Sequence, residues 1–413
     1  MKKIYRCFAS IVSVAVLGTL ALIIHVQSTI PDRFTLIQGQ QLELSSIFKI
    51  SQASSGSIFP PEAYAAAGNS YQVDLKMLGS VNLKTVRVDV VERKMVVPGG
   101  NPFGIKMFTE GVIIVGLSDV PSGGVRSNPA KQAGIKLGDI LLEIDGTPVT
   151  SNTQVGKLVS QSGGKSMELK VRRNDANYTF NMVPIKSDID AKYRAGIWVR
   201  DSSAGIGTMT FYDPDTGIFT GLGHAICDID TGEVMPLNRG EIVNVNISGV
   251  LKGQAGAPGE LRGGFINERV LGNLLANTNT GVYGRMNNPQ TKTNWNTPIP
   301  IAMRYEVEAG PATILTTVSG SAPKEYDIMI EKIDLSDSSP TKNLVIKITD
   351  PELIAQTGGI VQGMSGSPII QNEMLVGSVT HVFVNDPQRG FGIFAENVYN
   401  GANTVYFNNK AAS

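Results

Sequence analysis

Phe8 to Val26 is an almost unbroken apolar run, interrupted by Ser10, Ser13, Gly18, Thr19 and His25, and Lys2, Lys3 and Arg6 stand in front of it. The run approaches the ~20 residues that span a bilayer and exceeds the core of a typical cleaved signal, so it predicts an uncleaved membrane anchor over residues 1–28. Positive residues ahead of such a span stay cytoplasmic, which places the rest of the chain outside. Residues 29–80 hold no sustained period; SQASSGS and PPEAYAAAG read as a linker with room for one short helix, its AYAAAG stretch exposed to clipping by a protease. From Val81 the stretch VNLKTVRVDVVE alternates apolar and polar residues as a half-buried strand does, so folded structure is expected from about there.

Over residues 92–187 the pattern changes several times. FGIKMFTEGVIIVGLSDV reads as strand, NPAKQAG as a short helix, ILLEIDGTPV as paired strands, VGKLVSQSG as a helix and MELKVRRNDANYTFNMV as a hairpin. From residue 189 onward, short strands such as GIWVRD, GIGTMTFYD and GIFTGLGHAI alternate with glycine turns every 8–12 residues or so, which predicts an all-β barrel or sandwich. A length of 413 residues accommodates two or three such domains. With 36 basic and 36 acidic residues there is no global field to draw in nucleic acid, and no nucleic-acid partner is expected. Cys7 lies in the apolar run and Cys227 deep in the chain, so neither a disulfide framework nor a cysteine-rich metal site is expected. Paired metal-ligand histidines and a phosphate loop are also missing from the sequence, and no cofactor is expected.

Near the C-terminus GMSGSP places Ser365 and Ser367 among glycines and a proline, directly before an apolar run. Such clusters are ordinary turn chemistry unless a base is available, because a serine hydroxyl is a poor nucleophile while it keeps its proton. His25 falls in the anchor, leaving His224 in GLGHAI and His381 in GSVTHVFVND. His381 sits in an alternating strand, where a structural histidine is the commoner case; His224 has glycines on its approach that leave room for a neighbour. Asp228, Asp230 and Asp350 are candidates to orient the base, and spacing does not choose among them.

The segment AGIKLGDILLEIDG resembles the signature of PDZ domains, which bind an extended peptide as an added strand. The resemblance implies a PDZ domain over 92–187, with its carboxylate-binding loop at Phe103, Gly104 and Ile105; a role as a mere spacer is the alternative. GLGHAICDIDTGE, ITDPELIAQTGGIVQGMSGSPIIQN and THVFVNDPQRGFGIF resemble the SpoIVB peptidase family, membrane-associated serine endopeptidases of endospore-forming Firmicutes. That resemblance implies a mainly β protein with a chymotrypsin-like double β-barrel over 189–413, and a catalytic set of His224, Asp350 and Ser365. The amides of Gly363 and Ser365 are then the expected oxyanion hole, with Ser367 in support. It further implies two activities: self-cleavage through PDZ contact with other copies of the chain, and cleavage of a membrane-bound regulator of an intramembrane metalloprotease, leading to late sigma-factor processing in sporulation. The site is expected to face the space between the forespore membranes, either tethered or released after self-cleavage. The rival reading is a membrane-tethered PDZ adaptor with an inactive barrel.

Overall fold

Apolar residues at every second position decide which face of each strand turns inward, and the computed structural model contains separate cores built this way. It describes residues 32–39, 48–52, 67–77 and 81–412, apart from 175, 288–296 and 337–338, together with positions 17, 18, 24 and 30. The expected anchor over residues 1–28 thus lies almost wholly outside the described residues, among which no helix is long and apolar enough to cross a membrane.

The stretch expected to be a linker, 29–80, contributes strands instead. Arg33–Ile37 (β1), Phe48–Gln52 (β2) and Ser70–Met77 (β3) join Val81–Val91 (β4) in a sheet of order β1-β4-β3-β2. Burial is the reason: Phe34 and Leu36 meet Val73, Leu75, Val86 and Val88 in a core of their own. Strands this short, set among small and polar residues, give too few repeats for a period to emerge.

Met95–Pro98 (β5) is followed by Pro102–Leu117 (β6), one long strand that serves two domains. Its second half enters a PDZ-like unit: Val120–Ser122 (β7), Val125–Ser127 (β8), helix Pro129–Ala133 (α1), Ile140–Ile144 (β9), Thr147–Pro148 (β10), helix Asn152–Gln161 (α2), Met167–Arg173 (β11) and Ala176–Met182 (β12). The caps are where the sequence puts them. Asn128 accepts from the Lys131 amide ahead of Pro129, left-handed Gly134 ends α1, and Ser151 accepts from the Gln154 amide to start α2. Val112, Ile114, Leu141, Val155, Leu169 and Val171 are among the residues of its core. The chain then passes Ile185–Lys186 (β13) and Tyr193–Arg194 (β14) into Ile197–Tyr212 (β15).

Ile218–Gly221 (β16), Leu237–Leu251 (β17), Glu260–Thr278 (β18) and Gly281–Met286 (β19) complete a first barrel. Its six strands close in the order β6-β17-β18-β19-β16-β15, because β15 returns to pair with β6. Ile299–Pro300 (β20) pairs with β5. The second barrel is closed by Gly310–Thr316 (β21), Lys324–Ile333 (β22), Leu344–Ile348 (β23), Pro368–Gln371 (β24), Met374–Phe383 (β25) and Asp386–Phe394 (β26), with helix Pro351–Thr357 (α3) before β24 and helix Ala395–Ala412 (α4) at the end. The protein is mainly β, with a PDZ-like unit and two closed six-stranded barrels, the double-barrel architecture that was expected.

Two expectations need correction. The division into 92–187 and 189–413 fails because β5 and the first half of β6 belong to the first barrel, so the PDZ domain is an insertion between β6 and β15. Gly111 marks the exit: its φ is +71° and a Cβ there would lie 2.6 Å from the Leu141 carbonyl oxygen. Phe103, Gly104 and Ile105 also cannot receive a peptide. Phe103 and Ile105 are buried in the barrel core, a Cβ on Gly104 would meet the Phe265 ring at 2.4 Å, and β15 and β17 occupy both edges of the strand. Register and hydrogen bonding bring the two ends of the insertion together, since Ser202 pairs with Phe108 and the Thr109 hydroxyl donates to the Asp201 carbonyl at 3.2 Å.

A chain truncated to begin at Ile189 loses a strand from the closed barrel and should show no cooperative thermal transition for that barrel. Replacing residues 111–199 by a two-residue Asn-Gly turn should retain the transition, because it leaves the strand pair intact. Calorimetry of the two forms decides between an inserted and an independent PDZ domain.

Candidate active site

The turn that carries Ser365 links α3 to β24 and is shaped by glycine. Gly363 has φ +98° and Gly366 φ +95°, and a Cβ on Gly366 would lie 2.1 Å from the Thr208 carbonyl oxygen and 2.5 Å from the Leu222 amide nitrogen. The turn therefore packs backbone to backbone against the first barrel. Thr208 on β15 holds it, donating from its amide to the Ser365 carbonyl at 3.1 Å and from its hydroxyl to the Gly363 carbonyl at 2.7 Å. Among the described residues the amides of Gly363 and Ser365 donate to no protein group. The Ser365 hydroxyl is half-buried and donates to the Thr380 carbonyl at 2.8 Å. Ser367 is fully buried, and its hydroxyl donates to the Met364 carbonyl at 2.7 Å, so it supports the turn.

His224 follows β16 on a turn in which both Leu222 and Gly223 have φ +67°. A left-handed leucine is uncommon, and here it is fixed by its packing in the first barrel's core. Gly223 lets the second barrel approach, since a Cβ there would lie 3.0 Å from the Ser378 hydroxyl and from the Thr380 methyl. The His224 Nδ1 lies 2.8 Å from the Ala225 carbonyl. A carbonyl only accepts, so Nδ1 carries the hydrogen and Nε2 is left as the acceptor. Burial holds this imidazole below the ordinary histidine range, against an opposing contribution from the Ala225 carbonyl. The His381 ring lies with its centroid 5.0 Å from that of His224, tilted by 38°. A β-bulge between Val379 and His381 re-aims the strand at this point.

His224, Ser365 and His381 line one cavity of about 570 Å³, together with Ile206, Leu222, Cys227 and Val361 among others. Asp350 is not part of it. Its carboxylate caps α3, accepting from the Leu353 amide at 2.9 Å, so the expectation that Asp350 orients the imidazole is not met in this structure. The reason is local: Asp-Pro at a helix start is a strong cap, and the helix takes the carboxylate. Asp228 is committed too. Its buried carboxylate pairs with Arg200 on β15 and accepts from Thr231, while Asp230 pairs with the same arginine at 2.7 Å. These pairs fasten the loop after His224 to the strand that leaves the PDZ domain. No group of three histidine, cysteine, aspartate or glutamate side chains suited to a metal ion occurs among the described residues.

The PDZ domain does carry a cavity, at a place other than Phe103–Ile105. A cavity of about 480 Å³ lies between α2, which presents Val155, Gly156 and Val159, and the segment Tyr193–Val199. Ile197–Arg200 pair with β6 alone, which leaves their other edge without a strand partner. Sequence reading missed this edge because it belongs to the return strand rather than to the PDZ signature.

The family model for the SpoIVB peptidase S55 matches residues 191–399, just over half of the chain. The chain belongs to that family. A PDZ-domain model matches residues 124–173, so by family this is a PDZ-containing serine peptidase. Among curated proteins, the peptidase is 33% identical over 101 residues to the "Putative zinc metalloprotease BH06270" of Bartonella henselae, covering 24% of this chain and 27% of that one. It is 30% identical over 146 residues to the "Putative zinc metalloprotease LL2128" of Lactococcus lactis, covering 33% and 32%. The chain thus spans about a quarter to a third of the length of these relatives. Among solved structures, the active form of the Rv3671c protease of Mycobacterium tuberculosis overlaps at 14% identity and TM-score 0.31, over 49% of this chain and 74% of that one. The PDZ domain of the SdrC-like protein of Listeria monocytogenes overlaps at 20% identity and TM-score 0.18, over 22% and 87%.

In the peptidase the seam between Gly366 and Thr208 sets a sharp expectation. Gly366→Ala should cost about 3 kcal/mol, from left-handed backbone strain and collision with a main-chain oxygen. Gly249→Ala, where a Cβ meets nothing within 4 Å, should be close to neutral in the same denaturant titration.

Proposed function

We propose that the protein is a serine endopeptidase in which Ser365 attacks the peptide carbonyl and His224 accepts its proton. The observation that supports this most directly is the joint exposure of Ser365 and His224 to one cavity, beside two backbone amides without protein partners. The hydrogen on Nδ1 is held by the Ala225 carbonyl, so Nε2 is the nitrogen that receives the serine proton and returns it to the leaving amine. The amides of Gly363 and Ser365 stabilise the negative oxygen of the tetrahedral intermediate. In the resting arrangement the Ser365 hydroxyl points at the Thr380 carbonyl, so attack requires rotation of that side chain toward the imidazole. Family membership casts Asp350 as the third member of the set, and in this arrangement its carboxylate caps α3.

Family membership supports a biological reading as well: cleavage of the protein's own N-terminal region and of a membrane-bound regulator, on the outer side of a forespore membrane, during sporulation. The PDZ groove beside α2 presents an extended segment of such a substrate or of a second copy. The adaptor alternative needs no chemistry at Ser365, and probe labelling separates the two.

Two outcomes are expected. Ser365→Ala should abolish labelling by a fluorophosphonate probe and the appearance of self-cleavage fragments in mass spectra, whereas Ser367→Ala should label at a reduced but measurable rate. Loss of labelling in the second variant alone reverses the assignment. The second outcome concerns pH. A base must be unprotonated to act, and burial lowers the His224 pKa, so the acid limb of the labelling rate should fall below the ordinary histidine value of 6.5. A half-maximal rate above that value contradicts His224 as the base.

A further inference from the structure

We propose that the peptidase takes a small, uncharged aliphatic residue, of the size of alanine or valine, at the carbonyl that Ser365 attacks, and that Val382 and Ile360 set this limit. The inference rests on the peptidase reading above and names the substrate class of the same site. It starts from the cavity wall on either side of Ser365. On one side the chain runs in through Ile360 to Gly363, all of which line the cavity; on the other, Thr380 to Val382 of β25 line it. The Thr380 carbonyl receives the Ser365 hydroxyl at 2.8 Å, so this strand passes beside the reacting oxygen.

A volume of about 570 Å³ exceeds that of one side chain, so the cavity as a whole holds several residues of an extended peptide. The wall next to Ser365 is tighter. Val382 lies two residues along β25 from Thr380, about 7 Å at the rise of a strand. It is half-buried, packs against the core of the second barrel, and has Gly390 on β26 as its register partner. A Cβ on Gly390 would lie 2.7 Å from the Ile360 Cδ1, so the isoleucine rests on that glycine, next to Val382. Glycine leaves a recess in β26, and Ile360 fills it. Two β-branched side chains, stiff at χ1, therefore stand where a deeper pocket would open between the incoming segment and β25. The segment is also fixed in place. The Ile360 amide donates to the Pro387 carbonyl at 2.7 Å, the Gln362 amide to the Gly259 carbonyl at 2.8 Å, and the Leu261 amide to the Gln362 carbonyl at 2.8 Å.

Charge selects in the same direction as size. Among the described residues that line the cavity there is no aspartate, glutamate, lysine or arginine. A charged side chain entering it would lose water and gain no opposite charge. Lys342 stands close enough to His381 to disfavour its protonation, and the same positive charge works against a basic residue. Ile206, Leu222 and Val361 add apolar surface from both barrels.

The test uses peptidyl diphenyl phosphonates, in which phosphorus replaces the attacked carbonyl carbon and carries a chosen side chain. Ser365 Oγ bonds to phosphorus, and phenol leaves after the serine proton reaches the phenoxide by way of His224. Labelling rates of the full chain are compared for probes bearing the side chain of alanine, valine, phenylalanine, lysine or glutamate. The alanine and valine probes should label about tenfold faster than the phenylalanine probe and about a hundredfold faster than the lysine and glutamate probes. Val382→Ala should raise the phenylalanine-to-valine rate ratio about tenfold. Val345→Ala, which alters a half-buried valine of β23 outside the cavity lining, should leave the ratio unchanged. Each ratio is taken on one preparation and is independent of the fraction folded, so a destabilised variant still reports. A wild-type chain that labels fastest with the phenylalanine probe or a charged one, or a Val382→Ala ratio that does not move, overturns the inference; the peptidase reading stands in either case if a small fluorophosphonate still labels Ser365. If that reagent also fails on the folded wild-type chain, the peptidase reading falls and this inference falls with it.

Discussion

The Thr208 amide and hydroxyl, donating to the carbonyls of Ser365 and Gly363, join the two barrels at the place where the proposed chemistry requires them to meet. The proposed base, His224, comes from the first barrel and the proposed nucleophile, Ser365, from the second, so their relation depends on that seam rather than on either barrel alone. Main-chain groups are suited to this, since an amide and a carbonyl in fixed strands have little freedom to lose on pairing. The glycines at 223 and 366 matter for the same reason: each removes the side chain that would hold the two barrels apart.

The strand that supplies Thr208 also supplies Arg200, which grips the loop beyond His224, and Ile197 to Val199, which border the PDZ groove. One continuous length of backbone therefore passes the peptide groove, the base's loop, the cavity wall and the nucleophile turn. The inserted PDZ domain is coupled to the barrel by two shared strands instead of a flexible tether.

Much of the site could be read from the chain. The glycine pattern of GMSGSP signals a turn that must be approached closely by backbone, and the glycines of GLGHAI signal the same for His224; the structure places both at the seam. His381 was legible only as a residue of an alternating strand, because the bulge that turns it toward His224 has no mark in the sequence. Asp350 stands as the cap of α3 and outside the cavity lining; one Asp-Pro pair suits both a triad acid and a helix cap, and a single sequence does not distinguish them. Of the fold, turn spacing pointed to an all-β barrel or sandwich, while the double barrel and the PDZ domain followed from family resemblance. The dual service of β6 was not. Phe103, Ile105 and Met107 alternate as any strand does, and nothing in a single sequence says which sheet receives them.

That dual service bears on the order in which the chain assembles. Between Glu110 and Arg200 lie about 90 residues, and joining the ends of a flexible segment of that length costs about 4 kcal/mol in chain entropy. A PDZ domain that collapsed onto its own core first would draw those ends into one hairpin register, with Ser202 opposite Phe108. The remaining strands of the first barrel then add to a preformed two-stranded template. An inserted domain of this kind shortens the effective separation of contacts in the host, which speeds the formation of a topology rich in non-local pairs. In that order of events the PDZ domain would serve as a nucleus for the barrel, and lesions in its core would delay maturation of a site they never touch.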